Sequence, residues 1–81
     1  SDYVIIKTTT GKYITLSTMK DMVSSLPENV FVRSHRSFIV NLDKVSAVKG
    51  STIEIRDSEM RFSVPIGRAY KKDFKASLNA A

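Results

Sequence analysis

The strict alternation of Thr52-Ile53-Glu54-Ile55-Arg56, answered after Asp57-Ser58-Glu59 by Met60, Phe62 and Val64 on one face, constrains this chain most. Successive side chains of a strand point to opposite faces, so a period of two around a polar turn specifies a hairpin with one buried face. Pro65 closes the return strand, where a missing N–H is tolerated. Short runs of the same kind recur upstream. Tyr3-Val4-Ile5-Ile6-Lys7-Thr8 is β-branched and aromatic and reads as a rather buried strand, Thr9-Thr10-Gly11 is turn chemistry, and Lys12-Tyr13-Ile14-Thr15-Leu16 reads as the returning strand. Phe31-Val32-Arg33-Ser34 and Val45-Ser46-Ala47-Val48 are further short strands, and Gly50-Ser51 breaks the second.

Two segments change period. Met19, Met22, Val23 and Leu26 fall on one stripe of a short helix, with Thr18 as N-cap, Asp21 three residues later, and Pro27 as the stop. Gly67 to Leu78 predicts a terminal helix with Tyr70, Phe74 and Leu78 at i, i+4 and i+8. The pattern therefore predicts one mainly antiparallel β domain over residues 1–81, with one or two short helices. Its expected core includes Tyr13, Phe31, Phe38, Ile53, Phe62 and Ile66.

That core must come from packing alone. The chain has 81 residues and no cysteine, so neither a disulfide nor a thiolate metal site can support it. Its 42% hydrophobic residues, seven Phe and Tyr among them, suffice for a small core. No run approaches the roughly 20 apolar residues of a membrane span, and no basic-then-apolar leader opens the chain, so the expected location is cytoplasmic.

Catalysis finds no support. His35 is the only histidine, and no nucleophile elbow, phosphate-cradling glycine loop or HExxH motif is present. Scattered carboxylates around one His make no metal site, and no cofactor is implied. Charge is more informative. The net +5 lies entirely in residues 33–81, which hold ten basic against five acidic residues, and such a surface suits a polyanionic partner as well as simple solubility.

The basic residues gather in two clusters. In residues 31–42, two apolar stretches flank Arg33, Ser34, His35, Arg36 and Ser37, with Asn41 following. Arg36 can donate bidentately to guanine or to a phosphate, and Ser34, Ser37 and Asn41 are phosphate-contact types. His35 and Asn41 can instead tie turns together through backbone hydrogen bonds. The second cluster is Pro65-Ile66-Gly67-Arg68-Ala69-Tyr70-Lys71-Lys72. Pro65 and Gly67 shape a tight exit that throws Arg68 outward, and Lys71, Lys72 and Lys75 follow on a solvated helix face.

These clusters carry a resemblance. Phe-x-Arg-x-His-Arg-Ser-Phe-Ile-Val-Asn-Leu, residues 31–42, resembles the signature of the LytTR DNA-binding domain family. Ile53-x-Ile55, then Val64-Pro65-Ile66-Gly67-Arg68 with Tyr70-Lys71-Lys72, is similar to that family's closing element, and the helix at Thr18–Met22 sits where the family carries its helix. The resemblance implies an elongated stack of small antiparallel sheets with one packed helix, in which loops enter successive major grooves of double-stranded DNA. It implies a bacterial response regulator, in which a receiver domain precedes this domain and two copies bind direct repeats. The family's first strand, ahead of Tyr3, is expected to lie outside these residues.

By position, the resemblance implies base-reading loops at His35-Arg36-Ser37, Gly67-Arg68-Ala69 and Ser1-Asp2. Arg36 and Arg68 are the groove-reading donors. Asp2 can accept from cytosine N4, although its charge opposes phosphates. Arg33, Ser37, Lys71 and Lys72 are the phosphate candidates, with His35, Asn41 and Gly67 in support; Gly67 stands where the family commonly has serine. A rival from another class is a small β module that binds a peptide along a sheet edge. An RNA-binding β domain would need exposed aromatic platforms, whereas the aromatics here fall at expected core positions.

Overall fold

The structure is a computed structural model describing residues 3–8 and 10–80. These residues form three small antiparallel sheets. Strand β1 (Tyr3–Thr8) pairs with β2 (Gly11–Leu16), β3 (Phe31–His35) with β4 (Phe38–Asn41), and β5 (Val45–Lys49), β6 (Thr52–Asp57) and β7 (Met60–Pro65) lie side by side in that order. Helix α1 (Met19–Ser25) joins the first two sheets, and α2 (Lys71–Ala80) ends the chain after a 3-10 turn at Arg68–Tyr70. Every sheet pairs strands adjacent in sequence, as short apolar runs separated by turns require. The molecule measures 30 × 30 × 20 Å.

The β6–β7 hairpin has the register that the alternation predicts. Ile53 pairs with Val64 and Ile55 with Phe62 on the inner face, while Glu54 pairs with Ser63 and Arg56 with Arg61 on the outer face. Gly50 turns the chain from β5 into β6 at φ 61, a left-handed conformation that a Cβ disfavours. Helix α1 starts where expected: the Thr18 hydroxyl oxygen accepts from the Asp21 N–H at 3.0 Å. Leu26 leaves the helix with φ −103 and ψ 152, the extended geometry that a following proline favours.

The core is a cluster of Val40, Leu42, Ile53, Ile66 and Phe74, with Val32, Val45, Val48, Ile55, Val64 and Leu78 packed against it. It therefore draws on β4, the turn after β4, β6, the segment after β7, and α2. Helix α2 docks through Phe74, which is fully buried and presses the helix onto the sheets. The helix thus begins later than its apolar stripe suggested, because Arg68–Tyr70 winds as a 3-10 turn first.

Two core expectations need correction. Ile53 and Ile66 are buried and Phe31 and Phe62 half-buried, but Tyr13 is 54% and Phe38 37% exposed. Tyr13 lies on the β1–β2 ribbon, where Tyr3, Ile5, Ile14 and Leu16 are exposed as well, so β1 is not the buried strand that its β-branched run suggested. Phe38 starts β4 at a hairpin tip, and its ring meets the His35 ring edge-on at 5.7 Å instead of entering the core. Strand periodicity gives a face, not the depth at which that face lies.

Candidate nucleic-acid interface

The first basic cluster is a two-residue turn, Arg36-Ser37, between β3 and β4. A register shift between Arg33 and His35 disturbs the pairing just before it, and irregularities of this kind bend a strand and re-aim its side chains. Three internal hydrogen bonds then fix the turn. The Ser37 N–H donates to His35 Nδ1 at 3.1 Å. Arg33 donates from Nε to the His35 carbonyl at 3.2 Å and from Nη2 to the Arg36 carbonyl at 2.6 Å. The same guanidinium lies over the Tyr70 ring, 5.5 Å from its centre.

The second cluster is fastened to the first. Ser34 is fully buried, and its hydroxyl donates to the Pro65 carbonyl at 3.1 Å. Its own carbonyl accepts from the Gly67 N–H at 2.7 Å. Gly67 lies so close to His35 that an added Cβ would sit 3.4 Å from its Cδ2 and 3.2 Å from Tyr70 Cδ2. The Gly67 backbone is ordinary, with φ −70 and ψ 148, so glycine serves close approach here rather than turn geometry. Arg68 then opens the 3-10 turn, and the Tyr70 N–H closes it onto the Gly67 carbonyl at 2.9 Å.

The residues proposed from sequence therefore divide. Arg36, Ser37, Arg68 and Lys72 are exposed, and Lys71 is half-buried at the start of α2. Among the described residues the ion pairs are Lys44–Asp57 and Lys49–Glu54, and neither involves these cations. Arg33, His35 and Gly67 are committed to the junction itself. The Asn41 Oδ1 accepts from the Asp43 N–H at 2.9 Å and caps the turn at Leu42–Lys44. Asp2 lies outside the described residues. Sequence reasoning missed Ser34 as the buried link and Tyr70 as the platform under Arg33. Ser34 and Pro65 are 31 residues apart, and no local pattern marks such a bond.

Among the described residues, no group of three His, Asp or Glu side chains is placed to hold a metal ion, and no helix is long and apolar enough to cross a membrane.

Fold and junction together define a small β domain that presents arginines from two abutting turns rather than from a recognition helix. The chain belongs to the LytTr DNA-binding domain family, whose model matches residues 1–79. It is 33% identical over 66 residues to the transcriptional regulatory protein YpdB of Escherichia coli (strain K12), which covers 78% of this chain and 27% of that protein. The sensory transduction protein LytT of Bacillus anthracis is 33% identical over 78 residues, 93% of this chain and 31% of that protein. The chain thus spans under a third of the length of these curated relatives. A solved LytTr DNA-binding domain from Bacillus cereus has the same fold, with a TM-score of 0.63 at 22% identity, covering 96% of this chain and 97% of that one.

Proposed function

We propose that this domain binds double-stranded DNA sequence-specifically as the output element of a bacterial transcription regulator, with Arg36 and Arg68 reading base edges. The observation that carries the reading is the Ser34–Gly67 junction, which sets two rigid turns side by side, each with an exposed arginine outside the ion pairs of the fold. Guanidiniums on restrained turns can be held in the planar, bidentate geometry that guanine O6 and N7 require. Lys71, Lys72 and Ser37 supply phosphate contacts around them. Arg33, His35, Asn41 and Gly67 act as positioning residues.

Successive major grooves lie about 34 Å apart along a duplex. Loops that touch one another address neighbouring positions within one turn. Family membership and the names of the relatives support a regulator whose full chain carries a receiver domain; the proposal adds that it works in the cytoplasm and binds direct repeats as two copies. They give no support to the peptide-binding alternative.

Selection of bound duplexes from a random pool, followed by titration at several salt concentrations, tests the reading. One enriched motif with binding that falls steeply as salt rises is expected, because neutralised phosphates release their counterions. A pool that enriches nothing, or affinity nearly indifferent to salt, would falsify it.

A further inference from the structure

Arg56 and Arg61 face each other directly across β6 and β7, and both are exposed. Residues so opposed hold their Cβ atoms about 4.5–5.5 Å apart, and like charges there destabilise a sheet. Two of the nearby carboxylates are engaged with other cations, while Glu59 in the β6–β7 turn is exposed and makes neither of these ion pairs. Asp57 Oδ1 takes the Lys44 ammonium at 3.1 Å and Glu54 Oε2 the Lys49 ammonium at 3.4 Å. The two arginines also stand on the outer face of the sheet, since Ile53, Ile55, Phe62 and Val64 occupy the inner one. Their repulsion therefore brings no packing in return. They line an open groove of about 360 Å³ together with Ser46, Glu54, Ser63 and the half-buried Ile55 and Phe62. Two arginines lining one groove offer two guanidinium forks to an oxyanion with several acceptor oxygens.

We propose that Arg56 and Arg61 clamp a phosphate of the DNA backbone, at a site separate from the two base-reading turns. The proposal rests on the DNA-binding reading above. Two observations favour a nucleic-acid backbone over an acidic peptide. A peptide interface needs apolar area at its centre, yet the exposed large hydrophobics lie on β1 and β2, at Phe38, and at Met60 on the other face of β7. In addition, β7 runs from Arg61 straight to Pro65 and the Arg68 turn. Four residues of strand span about 13 Å, which equals about four base-pair steps of a duplex. A duplex lying along β7 would meet both ends of the strand.

The test is anisotropy of the 81-residue chain on a selected duplex, short and with added flanks, over a series of salt concentrations. Arg56→Gln and Arg61→Gln should each weaken binding to the long duplex about 3- to 10-fold at low salt, and the double variant should reduce the log–log salt slope by about 1, the share of one phosphate. The loss should be equal for every flanking sequence and vanish on the short duplex, with an unchanged or raised Tm as the repulsion is relieved. A double variant with wild-type slope and affinity, beside an Arg36→Ala variant that still loses sequence preference, overturns the clamp and leaves the DNA reading standing. Failure of the wild-type chain to bind any duplex removes both. Poly-glutamate serves as the probe for an acidic protein: if the double variant loses it while holding DNA normally, the pair belongs to a protein contact and the clamp is wrong.

Discussion

The Gly67 N–H donates to the Ser34 carbonyl over 2.7 Å, joining the strand that precedes one arginine turn to the residue that precedes the other. The Ser34 hydroxyl adds a second link, to Pro65, from a fully buried position. The relation of Arg36 to Arg68 is thus set by main chain and one serine, not by the flexible arginines themselves.

Ser34→Ala deletes the donor to Pro65 and leaves that carbonyl without this partner. The expected cost is about 1–3 kcal/mol. In a domain of this size each kcal/mol lowers Tm by roughly 4–8 °C. DNA affinity should fall at temperatures where the variant is still folded, because the two turns lose their common reference. A variant with wild-type melting and wild-type affinity would show that the link is dispensable.

Gly67→Ala tests close approach rather than backbone freedom. Its φ and ψ suit alanine, so the penalty comes only from the Cβ against Tyr70 and His35. Overpacking of this kind costs about 1–3 kcal/mol. Truncating the neighbour as well, in Gly67→Ala with Tyr70→Ala, should make the second change less damaging than it is alone. Additive costs in that double-mutant cycle would rule out the steric origin.

Phe74 and Phe38 make a pair of contrasting truncations. Phe74→Ala empties a fully buried site and should cost about 3–5 kcal/mol, enough to unfold so small a domain. Phe38→Ala removes a ring more than a third exposed at a hairpin tip, and about 1–2 kcal/mol is expected. Thermal melts that rank the two in the opposite order would contradict the core described above.

Base reading and phosphate contact separate by their response to sequence and salt. Arg36→Ala or Arg68→Ala should cost about 1–3 kcal/mol at one base step and flatten preference there. Lys71→Ala, on a flexible stem beside the turns, should weaken all duplexes alike and lower the salt slope by about 1. Affinities on single-base variants of a selected site decide it. Uniform weakening by Arg36→Ala would make that residue a backbone clamp.

Much of the fold was legible because its signals are local. The Thr18 cap, the Pro27 stop, the glycine at the β5–β6 turn and the period of two through β6 and β7 each depend on residues within one element, and each has its expected structure. Asn41 and His35 were legible as alternatives only: an amide or imidazole beside a turn can bond backbone or ligand, and one acceptor atom of each takes a backbone N–H, from Asp43 and Ser37.

What the sequence determined by itself is the set of strands, the hairpins that join them, and two basic turns carrying Arg36 and Arg68, since these follow from periodicity and turn chemistry over a few residues. What only the tertiary structure decided is which side chains those turns spend on holding themselves together. Arg33 folds back onto two carbonyls and Tyr70, Ser34 sinks into the junction, Tyr13 and Phe38 stay near the surface, and Phe74 fills the centre. Each of these outcomes rests on contacts between segments distant in the chain, where burial depth and the satisfaction of buried polar groups depend on how sheets and helix stack.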